Sequence, residues 1–384
     1  MSAISKENAA RILSDLIALP SVNPMGRPYT GTERIESKVA DYIERLFAPY
    51  GAPMERDPYS PLHESLMVTV PGQTDGPALF FESHMDTVPA DDWPDHAFIP
   101  RWEGDTLFGR GACDDKGPLV AMILATMAVL ESGVKPPRTV LFLAAGDEEN
   151  KQTGIKRFRE KNVPLSGCII GEPTRCLPVV QHKGTVRWDI TVHGRSAHTS
   201  QPELGVNAIY GMMEVLAEIR KHQEEVRQRY CTPLLTGPLL TVSRIQGGRT
   251  RNAVPDECTI SVDYRIIPGM EGDSAREEVI RRLAALGHKI THHERHIQTE
   301  PLQTPLDDPF AQHVLEICRQ ALGPETQLCG VPYGTDAAWI FDRAPTLVLG
   351  PGDIASAHAI DEHIDINEVV RCAEIYRQIM RRLP

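Results

Sequence analysis

A histidine and an aspartate close the apolar segment "ALFFESHMDTVP", which spans residues 78–89. His84 and Asp86 stand two residues apart and follow the apolar and aromatic part of the segment after Glu82 and Ser83. Imidazole and carboxylate groups both bind zinc, at about 2.0–2.2 Å. A polar strand end that simply leaves the core would show the same two residue types. The rest of the chain must therefore decide between a metal site and an ordinary strand end.

Four further groups of carboxylate or imidazole side chains occur at comparable places. Three follow apolar runs that are typical of buried strands, one of them after a short loop, and the fourth precedes a predicted helix. They are Asp114 and Asp115 in "GRGACDDKG", Asp147, Glu148 and Glu149 in "GDEE", Glu172 in "GEPT", and His358 in "SAHAIDE". Ligands of open α/β sheets bind at the carboxyl ends of the strands. We therefore expect these groups to converge on one rim of the sheet, at the carboxyl ends of its strands. Any one of them alone would more often be a solvated strand end.

Predicted strands and helices alternate around these groups. The runs "ESLMVTVPG", "PALFFESHMD", "RTVLFLAAGDEE" and "APTLVLGPGD" are continuously apolar, which is typical of strands buried on both faces of a sheet. The segments "KGPLVAMILATMAVLESG" and "INEVVRCAEIYRQIMRRL" are predicted helices, the second amphipathic. The pattern predicts an α/β domain.

The middle of the chain has a different pattern. The segments "GTVRWDITVHG" and "ECTISVDYRIIPG" alternate between apolar and other residues, as half-buried strands do. Together with their neighbours they give the order β-α-β-β-α-β, which is the ferredoxin-like pattern. We therefore predict that residues 181–297 form a smaller domain, inserted into a domain built from residues 1–180 and 298–384.

The composition of the chain disfavours some classes of binding partner. The 384 residues carry a net charge of −12, from 40 Lys and Arg against 52 Asp and Glu. This charge disfavours nucleic acid and anionic membrane surfaces as partners. There is no run of 18 apolar residues and no signal-peptide pattern, and none of the eight cysteines forms a CxxC pair. We expect a cytoplasmic protein with reduced thiols.

The predicted rim suits a pair of zinc ions. With two histidines and three carboxylates, one of them bridging, each ion would have three protein ligands. Two ions about 3.5–4 Å apart are a recurring hydrolytic arrangement. A carboxylate beside a ligand, such as Glu148 next to Glu149, is then free to act as a base. Because such sites discriminate weakly between divalent metals, Co²⁺ or Mn²⁺ could substitute for Zn²⁺.

With these motifs in view, the sequence resembles a family of dinuclear zinc amidohydrolases and exopeptidases, which includes acetylornithine deacetylase, succinyl-diaminopimelate desuccinylase, aminoacylase and carboxypeptidase G. The resemblance covers essentially the whole chain. It rests on "SHMDTVP", "GRGACDDKG", "GDEEN", "GEPT", "GRSAHTSQPELGVNAI", "RNAVPDECTISVDYR", "GTDA" and "GPGDIASAHAIDE", which are specific together. It implies a zinc-exopeptidase-like catalytic domain, with a twisted central sheet between helices, plus an inserted ferredoxin-like lid and dimerisation domain.

The resemblance also implies roles for the residues of the rim. Asp86 would hold the far nitrogen of His84, as the two-residue spacing also suggests. Glu148 would be the general base, and Asp115 is not expected to be a ligand. The implied metal ligands are His84 and Glu172 for one zinc ion, Glu149 and His358 for the other, and Asp114 as the bridge.

The resemblance implies further catalytic and substrate-binding residues in the inserted domain and in a later loop. His198 of a partner subunit would reach the active site and steady the oxyanion. Asn252 and Arg265 match positions that hold the substrate's carbonyl and carboxylate, and Gly334 and Thr335 match a loop that lines the same pocket. Without the motifs, His198 could be an ordinary loop histidine and Arg265 a solvated arginine at a sheet edge.

The function that we predict is hydrolysis of the amide bond of N-acyl amino acids by a zinc-dependent homodimer, which pairs through the inserted domain. A dipeptidase, a carboxypeptidase or an N-carbamoyl amino acid hydrolase could use the same site. An inactive scaffold dimer would be expected to lack the base or the ligands, whereas all of these positions are filled here. A structural zinc site would have four closed ligands, often cysteines.

Overall fold

The structure, a computed structural model, describes residues 3–29, 31–93 and 95–382. The chain divides into two compact units. The second unit consists of Gln181–Gln303 and Gly330–Gly334, and the first contains the other described residues. The boundary predicted at residue 297 falls inside a strand that continues to Thr299.

The described residues form helices and strands along nearly the whole chain. The helices are α1 (Lys6–Ile17), α2 (Ser37–Phe47), α3 (Lys116–Glu131), α4 (Thr153–Glu160), α5 (Ala208–Arg229), α6 (Gly272–Ala284), α7 (Pro309–Leu322) and α8 (Ile366–Arg382). The strands are β1 (Met54–Pro58), β2 (Glu64–Val70), β3 (Thr74–His84), β4 (Arg101–Glu103), β5 (Thr106–Phe108), β6 (Arg138–Ala145), β7 (Leu165–Ile170), β8 (Val179–His182), β9 (Gly184–His193), β10 (Leu239–Gly247), β11 (Glu257–Ile266), β12 (Lys289–Thr299), β13 (Cys329–Val331), β14 (Thr346–Val348) and β15 (His363–Asp365). Among the described helices, none has the length and apolarity required to cross a bilayer.

A mixed sheet of eight strands forms the centre of the first unit, in the order β1-β2-β6-β3-β7-β14-β8-β13. Strand β3 pairs in parallel with β6 and β7, and β14 pairs in parallel with β7. These four strands therefore end at the same edge. The register aligns His84 with Ala145, and it aligns Glu82 with Ile170, which itself pairs with Val348.

Burial explains the apolar sequence of this unit. Helix α3 is apolar on all sides because it packs against α1, α8 and β3, and it is buried along almost its whole length. Strand β3 is likewise buried from Ala78 to its end at His84. Strands β15, β5 and β4 form a separate small antiparallel sheet. The predicted α/β class with a central sheet between helices is confirmed.

The second unit contains an antiparallel sheet of four strands, in the order β10-β11-β9-β12. Helices α5 and α6 pack on this sheet. Alternate side chains of β9 and β11, such as Trp188 and Tyr264, are fully buried in its core. This order and connectivity are those of a ferredoxin-like domain, as predicted. Strand β11 aligns Arg265 with Thr185 at one end and Glu257 with His193 at the other.

Candidate metal centre

Two groups of side chains that could bind metal overlap in the first unit. Within each group, one ligand atom from every residue lies within 4.8 Å of the others. Asp114 belongs to both groups. The first group is His84, Asp114, Asp115 and Glu172, and the second is Asp114, Glu149 and His358.

The sheet brings these residues together. His84 is the last residue of β3, and Glu149, Glu172 and His358 lie in the loops that follow β6, β7 and β14. Because these four strands are parallel neighbours, their carboxyl ends meet at one edge. Asp114 comes from a different direction, in the loop between β5 and α3. The structure thus brings all five residues predicted as ligands to one place.

The carboxylate of Asp114 lies between two imidazoles. Its Oδ1 is 3.1 Å from Nε2 of His84, and its Oδ2 is 3.2 Å from Nε2 of His358. The same Nε2 of His358 is 3.5 Å from Oε1 of Glu149. His84 is 1% exposed, whereas the side chain of His358 is 52% exposed. The centre is therefore buried on the His84 side and open to solvent at His358.

The charges of this cluster favour a bound cation. Although burial opposes its ionisation, hydrogen bonds with His358 and His84 hold the pKa of Asp114 below its usual value. Hydrogen bonds with Asp114 and Glu149 raise the pKa of His358 to about 10. Burial, and then the negative charge of Asp114, raise the pKa of Glu149 and of Glu172.

Imidazole and carboxylate donors are a set that zinc accepts. Carboxylates outnumber imidazoles in this cluster, and the shifted pKa values show that it stabilises positive charge. The residues present therefore fit divalent cations, and this observation is independent of any motif.

Asp115 belongs to the first group of candidate ligands, although the sequence predicts that it does not bind the metal. Its Oδ2 accepts hydrogen bonds from the hydroxyl of Ser83 and from the main-chain N–H of His84, the latter at 3.1 Å. The peptide bond between Asp114 and Asp115 is cis. One oxygen of Asp115 is thus engaged in holding the end of β3.

The predicted base, Glu148, lies on a tight turn. Asp147 has a left-handed φ of 61°. Glu148 and Glu149 follow it directly on this turn. Oε1 of Glu148 accepts a hydrogen bond of 2.9 Å from Nε2 of Gln152, whose own Oε1 accepts one from the indole of Trp339. Burial raises the pKa of Glu148 well above its usual value. A carboxylate with a raised pKa suits proton transfer near neutral pH.

Asp86 contacts the far nitrogen of His84 through its main chain, and its carboxylate holds the turn that carries Glu148 and Glu149. Its main-chain oxygen is 2.9 Å from Nδ1 of His84, whereas its carboxylate Oδ1 is 3.7 Å from that atom. The carboxylate instead accepts the main-chain N–H groups of Glu148 and Glu149, at 3.1 and 3.3 Å. Asp86 therefore fixes the turn that carries the predicted base.

Three buried residues behind this turn escaped the sequence analysis. Glu36 accepts the main-chain N–H of Asp147 at 3.2 Å and lies 2.8 Å from Nδ1 of His63. The amide of Asn23 donates to Asp86 and to Asp147, at 2.9 and 3.1 Å. Burial raises the pKa of Glu36 to about 7. The sequence signal for Asn23 was weak, a polar residue near the end of the mostly apolar stretch "LIALPSVNP".

His198 and Asn252 lie together in the second unit. His198 pairs with Ala253 in an isolated β-bridge, and its Nδ1 is 2.8 Å from Oγ of Ser200. The main-chain oxygen of Asn252 accepts the N–H of Thr199 at 3.1 Å. Both predicted residues are exposed, so their side chains are free to meet a ligand.

Arg265 and Gly334 both lie beside Thr185. Nη1 of Arg265 donates to Oγ1 of Thr185 at 3.0 Å, and its Nε donates to Asp263 at 2.8 Å. Arg265 lies on β11, an inner strand, with its side chain 28% exposed, so it is not an arginine at a sheet edge. A Cβ on Gly334 would lie 3.2 Å from the main-chain oxygen of Lys183 and 3.9 Å from Oγ1 of Thr185.

Thr335, the next residue along the chain, lies in the first unit and is fully buried. Its Oγ1 accepts the N–H of Ala337 at 3.1 Å and so caps the short 3₁₀-helix Asp336–Trp339. Burial raises the pKa of Asp336 to about 7.

The predicted substrate residues of the second unit thus occupy opposite ends of one sheet. Arg265 is at the Thr185 end of β11, whereas His198 and Asn252 lie beyond the end marked by Glu257. Arg265 lies eight positions after Glu257 along the extended strand, a distance of about 26 Å. A small substrate bound to Arg265 is therefore out of reach of His198 and Asn252 of the same chain.

Comparisons with known proteins agree with this geometry. A family model described as peptidase family M20/M25/M40 matches residues 80–382. The chain is 30% identical over 378 residues to an acetylornithine deacetylase from Pectobacterium carotovorum subsp. carotovorum (strain PC1), and the match covers 95% of both proteins.

Solved structures with low sequence identity share the fold. The aminopeptidase PepT from Bacillus cereus ATCC 10987 matches with a TM-score of 0.80 and 20% identity, over 99% of both chains. The YXEP protein of Bacillus subtilis, a dinuclear metal-binding peptidase of the M20 family, matches with a TM-score of 0.72 and 15% identity, over 98% of this chain and 97% of that chain.

Proposed function

The chain belongs to the peptidase family M20/M25/M40, and from this premise we propose that it removes the acyl group from N-acyl amino acids by hydrolysing their amide bond. It is a metal-dependent hydrolase with a candidate dinuclear site. The observation that carries the proposal is the Asp114 carboxylate between His84 and His358, with Glu148 on the adjoining turn. The relative that is 30% identical over nearly the whole chain supports the deacylase activity.

In this proposal the centre holds two Zn²⁺ ions. Asp114 would be shared by both ions, His84 and Glu172 would hold one of them, and His358 and Glu149 would hold the other. Bound divalent cations would supply Lewis acidity, which polarises the amide carbonyl and lowers the pKa of water. Co²⁺ or Mn²⁺ could replace Zn²⁺ because the donors do not select strongly between these metals.

Glu148 moves the proton in this reaction. Its carboxylate accepts a proton from the attacking water and later donates it to the nitrogen of the leaving amine. Burial raises the pKa of Glu148 and so favours the carboxyl form that holds the proton before this second step. Gln152 donates to Oε1 of Glu148 and so orients the carboxylate.

We propose that Arg265 binds the α-carboxylate of the substrate, with Gly334 of the same unit lining this part of the pocket. The planar guanidinium of Arg265 is oriented by Asp263 and Thr185. Arginine binds carboxylates through two parallel hydrogen bonds, which fix orientation as well as position.

Replacement of Arg265 by Ala is expected to lower kcat/KM about 10- to 100-fold for substrates with a free α-carboxylate, because a hydrogen bond to a charged group is lost. Amidated analogues should be affected much less. Arg187→Ala is a matched control, because Arg187 contacts the same Asp263 carboxylate at 2.6 Å. An equal loss on both substrate types would show that Arg265 has only a structural role.

We also propose a homodimer with shared active sites, in which His198 and Asn252 act in the partner's site. The separation of about 26 Å along β11 supports this arrangement. Strand β10 is an unpaired edge of its sheet, and unpaired edges readily add a strand. Large apolar side chains are exposed before α5, on α5 and on β10: Leu204, Val206, Tyr210, Met213 and Ile245.

Subunit exchange tests the sharing of sites. Glu148→Gln and His198→Ala chains are each expected to be inactive, and after mixing they should recover about one quarter of the wild-type rate. Random exchange makes half of the dimers heterodimers, and each of these has one complete site. Activity would be assayed after exchange is verified with differently tagged chains. No recovery in verified heterodimers would place His198 in its own chain's site or outside catalysis.

The substrate is tested by a panel of N-acetyl, N-succinyl and N-carbamoyl amino acids and dipeptides, assayed with zinc-loaded protein. We expect the highest kcat/KM for an N-acetyl or N-succinyl amino acid. Cleavage of dipeptides or carbamoyl compounds alone would replace the deacylase proposal with one of those activities. A cytoplasmic location is proposed as well, and it is supported by the eight cysteines, none of which is in a disulfide.

A further inference from the structure

A buried ion pair lies next to the metal centre without belonging to it. Nη1 of Arg110 donates to Oε2 of Glu362 at 2.8 Å. Arg110 is 1% exposed and Glu362 is fully buried. Neither residue is in the two groups of candidate ligands.

The second oxygen of Glu362 holds the main chain at the bridging aspartate. Oε1 accepts the N–H of Cys113 at 2.9 Å and the N–H of Asp114 at 3.0 Å. The main-chain oxygen of Glu362 also accepts the N–H of Gly109 at 2.9 Å. Glu362 therefore fixes both ends of the segment from Gly109 to Asp114.

Arg110 extends these contacts to the loop that carries the exposed histidine. The same Nη1 that contacts Glu362 also donates to the main-chain oxygen of Ala359, at 3.3 Å. Ala359 directly follows His358, which has a left-handed φ of 61°. The ion pair thus joins the main chain at Asp114 to the main chain at His358.

A buried ion pair is a poor source of stability, because removing two charges from water costs about as much as their attraction returns. An apolar pair would fill the same space. Here each charged side chain also makes hydrogen bonds with main-chain groups next to a candidate ligand. We propose that Arg110 and Glu362 are positioning residues that set the separation of Asp114 and His358 for a divalent cation, an inference that rests on the proposed metal-dependent function.

The test is a calorimetric titration of metal-free protein with Zn²⁺, combined with its thermal unfolding. Glu362→Gln is expected to weaken Zn²⁺ binding about 10- to 100-fold, the usual effect of losing a residue that orients a ligand. Glu218→Gln is the control, because it removes a carboxylate that lies 2.8 Å from Arg282 in the second unit and touches no ligand. The control should bind Zn²⁺ as the wild type does.

A double variant separates positioning from folding. Glu362→Gln alone leaves a buried, unpaired arginine and is expected to lower the unfolding temperature. Arg110→Met combined with Glu362→Gln removes both charges and should regain that temperature, as replaced buried pairs often do. The weak Zn²⁺ binding should persist, because both variants lack the ion pair that joins the segment before Asp114 to the loop of His358.

Recovery of Zn²⁺ affinity together with stability in the double variant would overturn the proposal, as would wild-type affinity in Glu362→Gln. A wild-type protein that binds no Zn²⁺ would instead refute the metal-dependent function itself. The wild-type titration therefore distinguishes the two failures.

Discussion

Replacement of Glu148 by Gln is expected to lower kcat by about 10²- to 10⁴-fold while both metal ions stay bound. A carboxamide cannot accept the proton of the attacking water, nor can it donate one to the leaving amine. The amide oxygen of the new glutamine can still accept the hydrogen bond that Gln152 now donates at 2.9 Å, so the turn should keep its shape. Steady-state kinetics at saturating Zn²⁺ and metal analysis of the same sample measure both quantities.

The control for this variant is Glu160→Gln, which neutralises an exposed glutamate at the end of α4. It should leave kcat unchanged. A fall in metal content that parallels the fall in kcat would show that Glu148 acts as a ligand. Near-normal turnover of Glu148→Gln would place the base elsewhere.

Asp114→Asn is expected to have a comparable or larger effect, a loss of about 10³-fold or more in kcat/KM, because it disturbs both ions at once. Asp114 is the only residue that belongs to both candidate ligand groups within the described part of the chain. An amide is neutral and offers one oxygen where the carboxylate offers two. His84 and His358 would then lose the anion that lies between them.

Metal analysis and kinetics of Asp114→Asn test this expectation. The variant should bind Zn²⁺ more weakly, and added Zn²⁺ should not restore the wild-type rate. Asp307→Asn, which alters an exposed aspartate of the first unit, should behave as the wild type does. Two tightly bound ions with full activity in Asp114→Asn would exclude a bridging role.

The convergence of the candidate ligands at one edge of the sheet could be predicted because the signal was local. Apolar runs that end in His84, Glu149 and Glu172 each predict a buried strand with a polar end. Parallel pairing of β3, β6 and β7 then requires those ends to meet. The prediction needed only the strand direction, which the α/β alternation supplies.

The supports of the centre could not be predicted in this way. Glu36, His63 and Asn23 lie in separate segments with no shared spacing, and only the fold brings them to one turn. The two-residue spacing of His84 and Asp86 did predict a contact. It could not show that the main-chain oxygen makes this contact while the carboxylate caps the next turn.

The order of the strands in the second sheet could not be predicted from the sequence either. Alternation in "ECTISVDYR" predicts which side chains of β11 face the core, and Tyr264 is indeed buried. It cannot show whether β11 is an edge strand, and so an edge position for Arg265 could not be excluded. Sheet pairing is set by contacts between distant segments, here β10 and β9 on either side of β11.

Calorimetric titration of metal-free wild-type protein with Zn²⁺, checked by elemental analysis, tests the dinuclear centre most directly. We expect two tightly bound ions per chain, and hydrolysis should disappear with a strong chelator and return when Zn²⁺ is restored. A titration without a tight divalent site, or full hydrolysis by protein shown to be free of metal, would contradict the assignment of His84, Asp114, Glu149, Glu172 and His358 as a catalytic metal centre.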